Sequence, residues 1–181
     1  MGFQTDRDKV AHLLRRFGFG ASEAELDFYA KDGVKGAIDI LLNPEKVEEA
    51  PIPPITDFKN NNNTIQMPAV QGHWVLRMVM TRRPLVEKMT LFWHDHFATS
   101  AAKVNQPPNM YHQIDTLRQG ALGNFLELLT NASKDPAMLF WLDNQENVRG
   151  KPNENFAREV MELFTLGIGH YTEKDVQEAA R

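Results

Sequence analysis

Residues 91–103 read LFWHDHFATSAAK and set His94, Asp95 and His96 side by side between two aromatic residues, Trp93 and Phe97. Imidazoles and a carboxylate at this density can ligate a transition metal or move protons between acid and base. The backbone decides which chemistry is open. Two positions apart, His94 and His96 diverge by about 200° on a helix but share one side of an extended segment. Only a chain that leaves the helix near Trp93 therefore lets both hold one ion. If the helix runs through Phe97, His96 joins a stripe with Leu85, Met89 and Phe92, while His94 stacks near Thr90 and Glu87. The helical spacings HExxH and ExxH, which hold zinc or paired iron, are missing. The bland alternative is a hydrogen-bonded cluster at a helix end.

A second constellation lies in NENFAREVMEL, where Glu154, Arg158, Glu159 and Glu162 share one predicted helix. Glu154 and Arg158, and Arg158 and Glu162, are four apart and can form a charge ladder on a solvated face. The functional version buries Arg158 with the glutamates and uses them to fix His94, His96 or His170, since ionised groups in a core need partners. The candidate acid–base set is thus His94, Asp95, His96, Arg158, Glu159 and Glu162, and the candidate metal ligands are His94, His96 and Glu162. In the buried version at least one of His94, Asp95 and His96 lies within hydrogen-bonding distance of Arg158, Glu159 or Glu162. Burial alone separates the two.

Other motifs carry less. In DNQENVRGKPNE the residues Asp143, Gln145 and Asn147 alternate and Glu154 stands twelfth, as in a calcium loop, but Val148 occupies the sixth position, where glycine is needed for the turn. These amides and carboxylates are expected to satisfy backbone groups in a long ordered loop and to cap the next helix through Asn153. His12, His73 and His112 stand alone and read as packed structural histidines. Ser100 lacks a GxSxG elbow, and there is no phosphate-cradling glycine loop. No cofactor is firmly implied.

The elements that position these residues are helical. Thr5 with Asp8, Ser22 with Glu25 and Thr172 with Asp175 are spaced as capping boxes, and Asp135-Pro136 reads as N-cap and first helical position. Val10, Leu13, Leu14 and Phe17 share a face, as do Ala37, Ile38 and Leu41, then Val70, Trp74 and Met78, and later Phe156, Val160, Leu163 and Phe164. No convincing alternating strand is found, so an all-α, multi-helix orthogonal or bundle-like domain is expected. Its parts are a helical lead-in over 1–50, a linker or surface loop over 51–68 (PIPPITDFKNNNNTIQMP) and a main helical region over 69–181 that reads as incomplete at its C-terminal end.

With 42% hydrophobic and 24% charged residues, the 181-residue chain has enough apolar content to fold. A net charge of −4 gives no attraction for a polyanion, so a nucleic-acid partner is not expected. The lack of cysteine removes thiolate catalysis and cysteine-ligated metals. The longest strongly apolar run, AMLFWL, falls far short of the roughly 20 residues a membrane helix needs, and no signal peptide is visible.

The stretches HLLRRFGFG, LFWHDHFATS and MLFWLDNQENVRGKPNENFAREVMELFTLGIGHYTEKDVQEAAR together resemble the bacterial family named domain of unknown function 1800. The resemblance spans almost the whole chain and implies an N-terminal portion of a longer protein, with export as a family-level suggestion. It implies little chemistry. The expected function is a structural or binding module, with a metal-dependent or acid–base, hydrolase-like enzyme as the alternative. The expected partner is the remainder of the longer chain or another protein, with self-association through an exposed apolar patch near residues 160–181.

Overall fold

The computed structural model describes residues 4–181, and among these the regular structure is helical, with no strand beyond an isolated bridge between Val148 and Lys151. The fold is all-α. No helix among the described residues is long and apolar enough to cross a membrane. Two compact units meet in sequence between Phe92 and Trp93, a division that falls inside one helix and that no loop in the sequence announces.

In the first unit, α1 (Asp6–Arg16), α2 (Glu23–Ala30) and α3 (Gly33–Leu42) pack on one another pairwise. Local chemistry starts the first two: Thr5 Oγ1 accepts from the Asp8 amide at 3.1 Å while the Asp8 carboxylate accepts from the Thr5 amide at 2.9 Å. Ser22 and Glu25 exchange the same pair of bonds. Each box satisfies two amides that a helix start otherwise leaves without partners. The core is Val10, Leu14, Leu26, Tyr29, Ala37, Leu41 and Leu85, so the apolar faces read from the sequence are those that turn inward. Gly18 has a packing reason, because a Cβ there would stand 2.8 Å from the Leu14 carbonyl oxygen and 2.9 Å from Pro84 Cβ.

The proline-rich stretch is docked by its own residues. A single turn over Ile55–Phe58 packs on α4 (Met67–Met80) with Ile55 buried, and His73 Nε2 donates to the Pro53 carbonyl at 2.8 Å. Asn60 closes the asparagine run into a turn, its side-chain oxygen accepting from the Asn62 and Thr64 amides and the Thr64 hydroxyl. Between α4 and α5 (Pro84–His96), the Glu49 carboxylate gathers the Thr81 hydroxyl and the Arg82 amide, and Tyr29 donates its hydroxyl to the Arg82 carbonyl. Burial pushes the Tyr29 phenol up to about 12, so it stays a donor.

Helix α5 departs from the expected stripe. Its buried residues are Leu85, Glu87 and Thr90, while Phe92 is 54% exposed. Apolarity did not choose this face. Glu87 is tolerated inside because Arg77 Nε donates to it at 2.8 Å and Trp74 Nε1 at 3.3 Å, and the Thr90 hydroxyl folds back onto the Val86 carbonyl.

The second unit is built from the last turn of α5, then α6 (Ala101–Val104), α7 (Pro107–Gln119), α8 (Phe125–Lys134), α9 (Pro136–Trp141), α10 (Asn155–Glu159) and α11 (Glu173–Ala180). Helices α7, α8 and α9 pack mutually around Phe97, Leu117, Leu128, Ala132, Met138, Leu142 and Phe164. Trp93 lies against this core and donates Nε1–H to the Ala121 carbonyl at 2.9 Å. The NENFAREVMELF helix, read as α-helical throughout, changes pitch: α10 ends at Glu159 and a π-helical segment runs over Val160–Thr165. Its wide turn is marked by the Leu166 amide donating to the Met161 carbonyl and by the Thr165 hydroxyl donating to the Val160 carbonyl. Gly167 then ends it at φ +78°.

Removing the buried acid tests the first unit: Glu87→Ala leaves Arg77 without its partner and is expected to cost about 3 to 5 kcal/mol in urea denaturation. Lys46→Ala, which breaks a pair whose side chains are 50% and 54% exposed, should stay within about 1 kcal/mol.

Candidate functional site

Helix α5 runs through His96, so His94 and His96 leave the helix axis in directions about 200° apart. The imidazole of His96 enters the second unit's aromatic cluster, with ring centroids 4.8 Å from Phe97, 5.7 Å from Trp93, 6.0 Å from Phe164 and 6.3 Å from Phe125. Its Nε2 lies 3.2 Å from the Phe164 carbonyl oxygen. A carbonyl only accepts, so Nε2 carries the hydrogen and Nδ1 holds the lone pair of the neutral ring. That carbonyl lies in the last turn of the π-helical segment, where the chain's own amides no longer reach every acceptor.

One cavity of about 620 Å³ gathers Asp95, His96 and Glu159, with Asn155 also polar and Trp141, Leu142, Leu163 and Phe164 as apolar walls. Asp95 is exposed and its charge acts on the neighbouring His94, while Glu159 is half-buried. The WHDHF segment meets Phe164, the residue that follows NENFAREVMEL, through its carbonyl and its ring. The hydrogen bond given to His96 is thus to a backbone carbonyl and not to Arg158, Glu159 or Glu162.

The other candidates point elsewhere. Arg158 donates to both oxygens of Glu173 at 2.8 Å and reaches Glu154 at 3.3 Å, with its side chain 32% exposed, so of the expected ladder the Glu154 arm is present and Glu173 of α11, not Glu162, takes the rest of the guanidinium. The Glu173 bond holds the guanidinium above its ordinary pKa and the Glu173 carboxyl below its own. Glu162 accepts from the Tyr171 hydroxyl at 2.7 Å, which raises the Tyr171 pKa. Among the described residues no group of three or more histidines, aspartates and glutamates is close enough to hold a metal ion.

The amide-rich loop works as its residue types suggest. Asn153 donates to the Asp143 carbonyl at 2.8 Å, Asn155 to the Leu142 carbonyl at 3.1 Å, and Asn147 to the Ala180 carbonyl at 2.9 Å. Asn153 also accepts from the Asn155 amide, although the residue flanking α10 is Glu154, whose side chain makes no capping bond.

Residues 12–181 match the family described as "Protein of unknown function (DUF1800)". The chain belongs to that family. Comparison with curated proteins and with solved structures gives no match. The family's description names no reaction, so for this member of it the chemistry rests on the cavity itself. Sequence reasoning reached His96, Asp95 and Glu159 but missed Trp141 and Asn155. The missed pair lie on α9 and at the start of α10, brought in by the asparagine-tied loop, whose length in sequence hides their proximity.

Burial pushes the His94 imidazole below its ordinary pKa, with Asp95 opposing the shift. The folded state then binds this proton less readily than the unfolded state, so His94 costs nothing above about pH 7 and stability falls as pH drops below the ordinary value near 6.5. Urea denaturation between pH 7.5 and 5 should show this loss in the natural chain, and His94→Gln should flatten it.

Proposed function

We propose that the second unit is a binding module whose cavity beside His96 takes a small ligand with an ammonium group on an apolar stem. The observation that carries this reading is the gathering of two carboxylates, the half-buried Glu159 and the exposed Asp95, in one cavity with the apolar walls of Trp141, Leu142, Leu163 and Phe164. Glu159 is half-buried, and an anion drawn out of water is costly unless a cation meets it, while aromatic walls favour the same charge. The size suits a compact organic molecule. The chain's net negative charge supports a cationic rather than a polyanionic ligand.

Binding is favoured over catalysis by what surrounds His96. Its Nε2–H is committed to the Phe164 carbonyl, and the cavity wall offers no serine, threonine or tyrosine hydroxyl as nucleophile. The cluster at the end of α5 then serves to set the cavity's shape and to keep one polar edge in an apolar wall.

Titration calorimetry with phenethylamine and its neutral analogue 2-phenylethanol tests the reading on the whole chain. The amine should bind saturably and about 10- to 100-fold more tightly than the alcohol, the span expected of a charge-assisted contact. Glu159→Gln with Asp95→Asn should erase that preference. Equal binding of amine and alcohol, or a preference that survives both substitutions, would defeat the proposal.

A further inference from the structure

A second cavity, of about 540 Å³, is bounded by α7, α8 and the N-cap of α9, Asp135, and His112 stands on its wall. The side chain of Asp135 beside it is 0% exposed, and both carboxylate oxygens are engaged. One accepts from the Ala137 and Met138 amides at 2.9 and 3.2 Å, and the other lies 2.9 Å from His112 Nδ1. A carboxylate only accepts, so Nδ1 carries the hydrogen and Nε2 is left as the basic nitrogen. The His112 side chain is 63% exposed, and its Nε2 has no protein partner among the described residues. With Nδ1 held by Asp135, Nε2 is the ring nitrogen left for water or a bound molecule.

From this geometry we infer a second, acid–base site, in which Asp135 orients His112 so that Nε2 takes a proton from water during hydrolysis of an ester of an uncharged, hydroxyl- or amide-rich molecule. The substrate class follows from the walls: Thr116, Gln119 and Asn131 offer hydroxyl and amide groups. Thr116 Oγ1 lies 3.5 Å from Nδ1, the nitrogen already bound to Asp135, so water and not this hydroxyl is the nucleophile. As Nε2 takes the water proton, the water oxygen bonds to the ester carbon. Collapse breaks the carbon–alkoxy bond, and the imidazolium returns the proton to the departing oxygen, giving an acid and an alcohol. Asp135 stabilises the transient imidazolium. Lys134, which has no ion-pair partner among the described residues, supplies positive charge on the same wall for the developing oxyanion.

Hydrolysis of p-nitrophenyl acetate by the whole chain at neutral pH tests this. The natural chain should exceed an equal concentration of free imidazole, and His112→Gln should lower the rate about 100-fold or more. Asp135→Asn retains an oxygen for the two amides but turns an N–H₂ toward Nδ1, so the hydrogen should move to Nε2 and the rate should fall as far. Nitrogen-15 NMR of the ring reads that tautomer directly and does not depend on activity. His170→Gln, which removes another exposed histidine, should leave the rate unchanged. A rate no greater than that of imidazole, a rate that survives His112→Gln, or a natural chain with its hydrogen on Nε2 would overturn the assignment. This site shares no residue with the His96 cavity, so its failure would leave the amine-binding reading untouched.

Discussion

The hydrogen bond from His96 to the Phe164 carbonyl is the contact around which the second unit's polar groups are arranged. It joins the last turn of α5 to the π-helical segment 68 residues later. One bond fixes two things: which nitrogen of His96 carries the hydrogen, and the partner of a carbonyl near a helix end. The rings of Phe97 and Phe164 pack against the imidazole and hold it in place. The wide helical turn matters for the same reason. A π-helical turn leaves the regular α-helical ladder, a feature that recurs at functional sites, and here Phe164 is buried while its carbonyl faces a side-chain donor.

Both units bury a carboxylate, and they do so differently. Glu87 meets the cationic Arg77 and the indole of Trp74, so its charge is balanced within a few ångströms. Asp135 meets two backbone amides and the His112 imidazole, so its charge is met by hydrogen-bond donors and by no arginine or lysine. The first arrangement holds α4 to α5. The second holds the start of α9 to α7.

What was legible in the sequence is what depends on neighbours in sequence. The three capping boxes and the Asp135-Pro136 helix start are set by residues within a turn of each other, and the structure has each of them. The inward face of α5 was not legible, because a rule that turns apolar residues inward has no way to foresee that Arg77 and Trp74 would make Glu87 acceptable there. The pairing of His112 with Asp135 spans 23 residues, and each had a sufficient local reading, one as a packed ring and the other as a cap. A carboxylate has two oxygens, and the cap uses one. The Asp95, His96 and Glu159 cavity was half legible: the residue types drew notice, but the change of helical pitch after Glu159 has no signature in apolar spacing.

The Asn147 side chain donates to the carbonyl of Ala180 and so ties the loop to the last turn of α11. The same asparagine accepts from the Asn153 amide, and Asn153 in turn holds the Asp143 carbonyl. Loop and helix therefore form one cooperative opening unit. Amides on both sides of the tie should exchange their hydrogens with solvent at a common free energy, and a perturbation that frees the loop unravels the end of the helix with it.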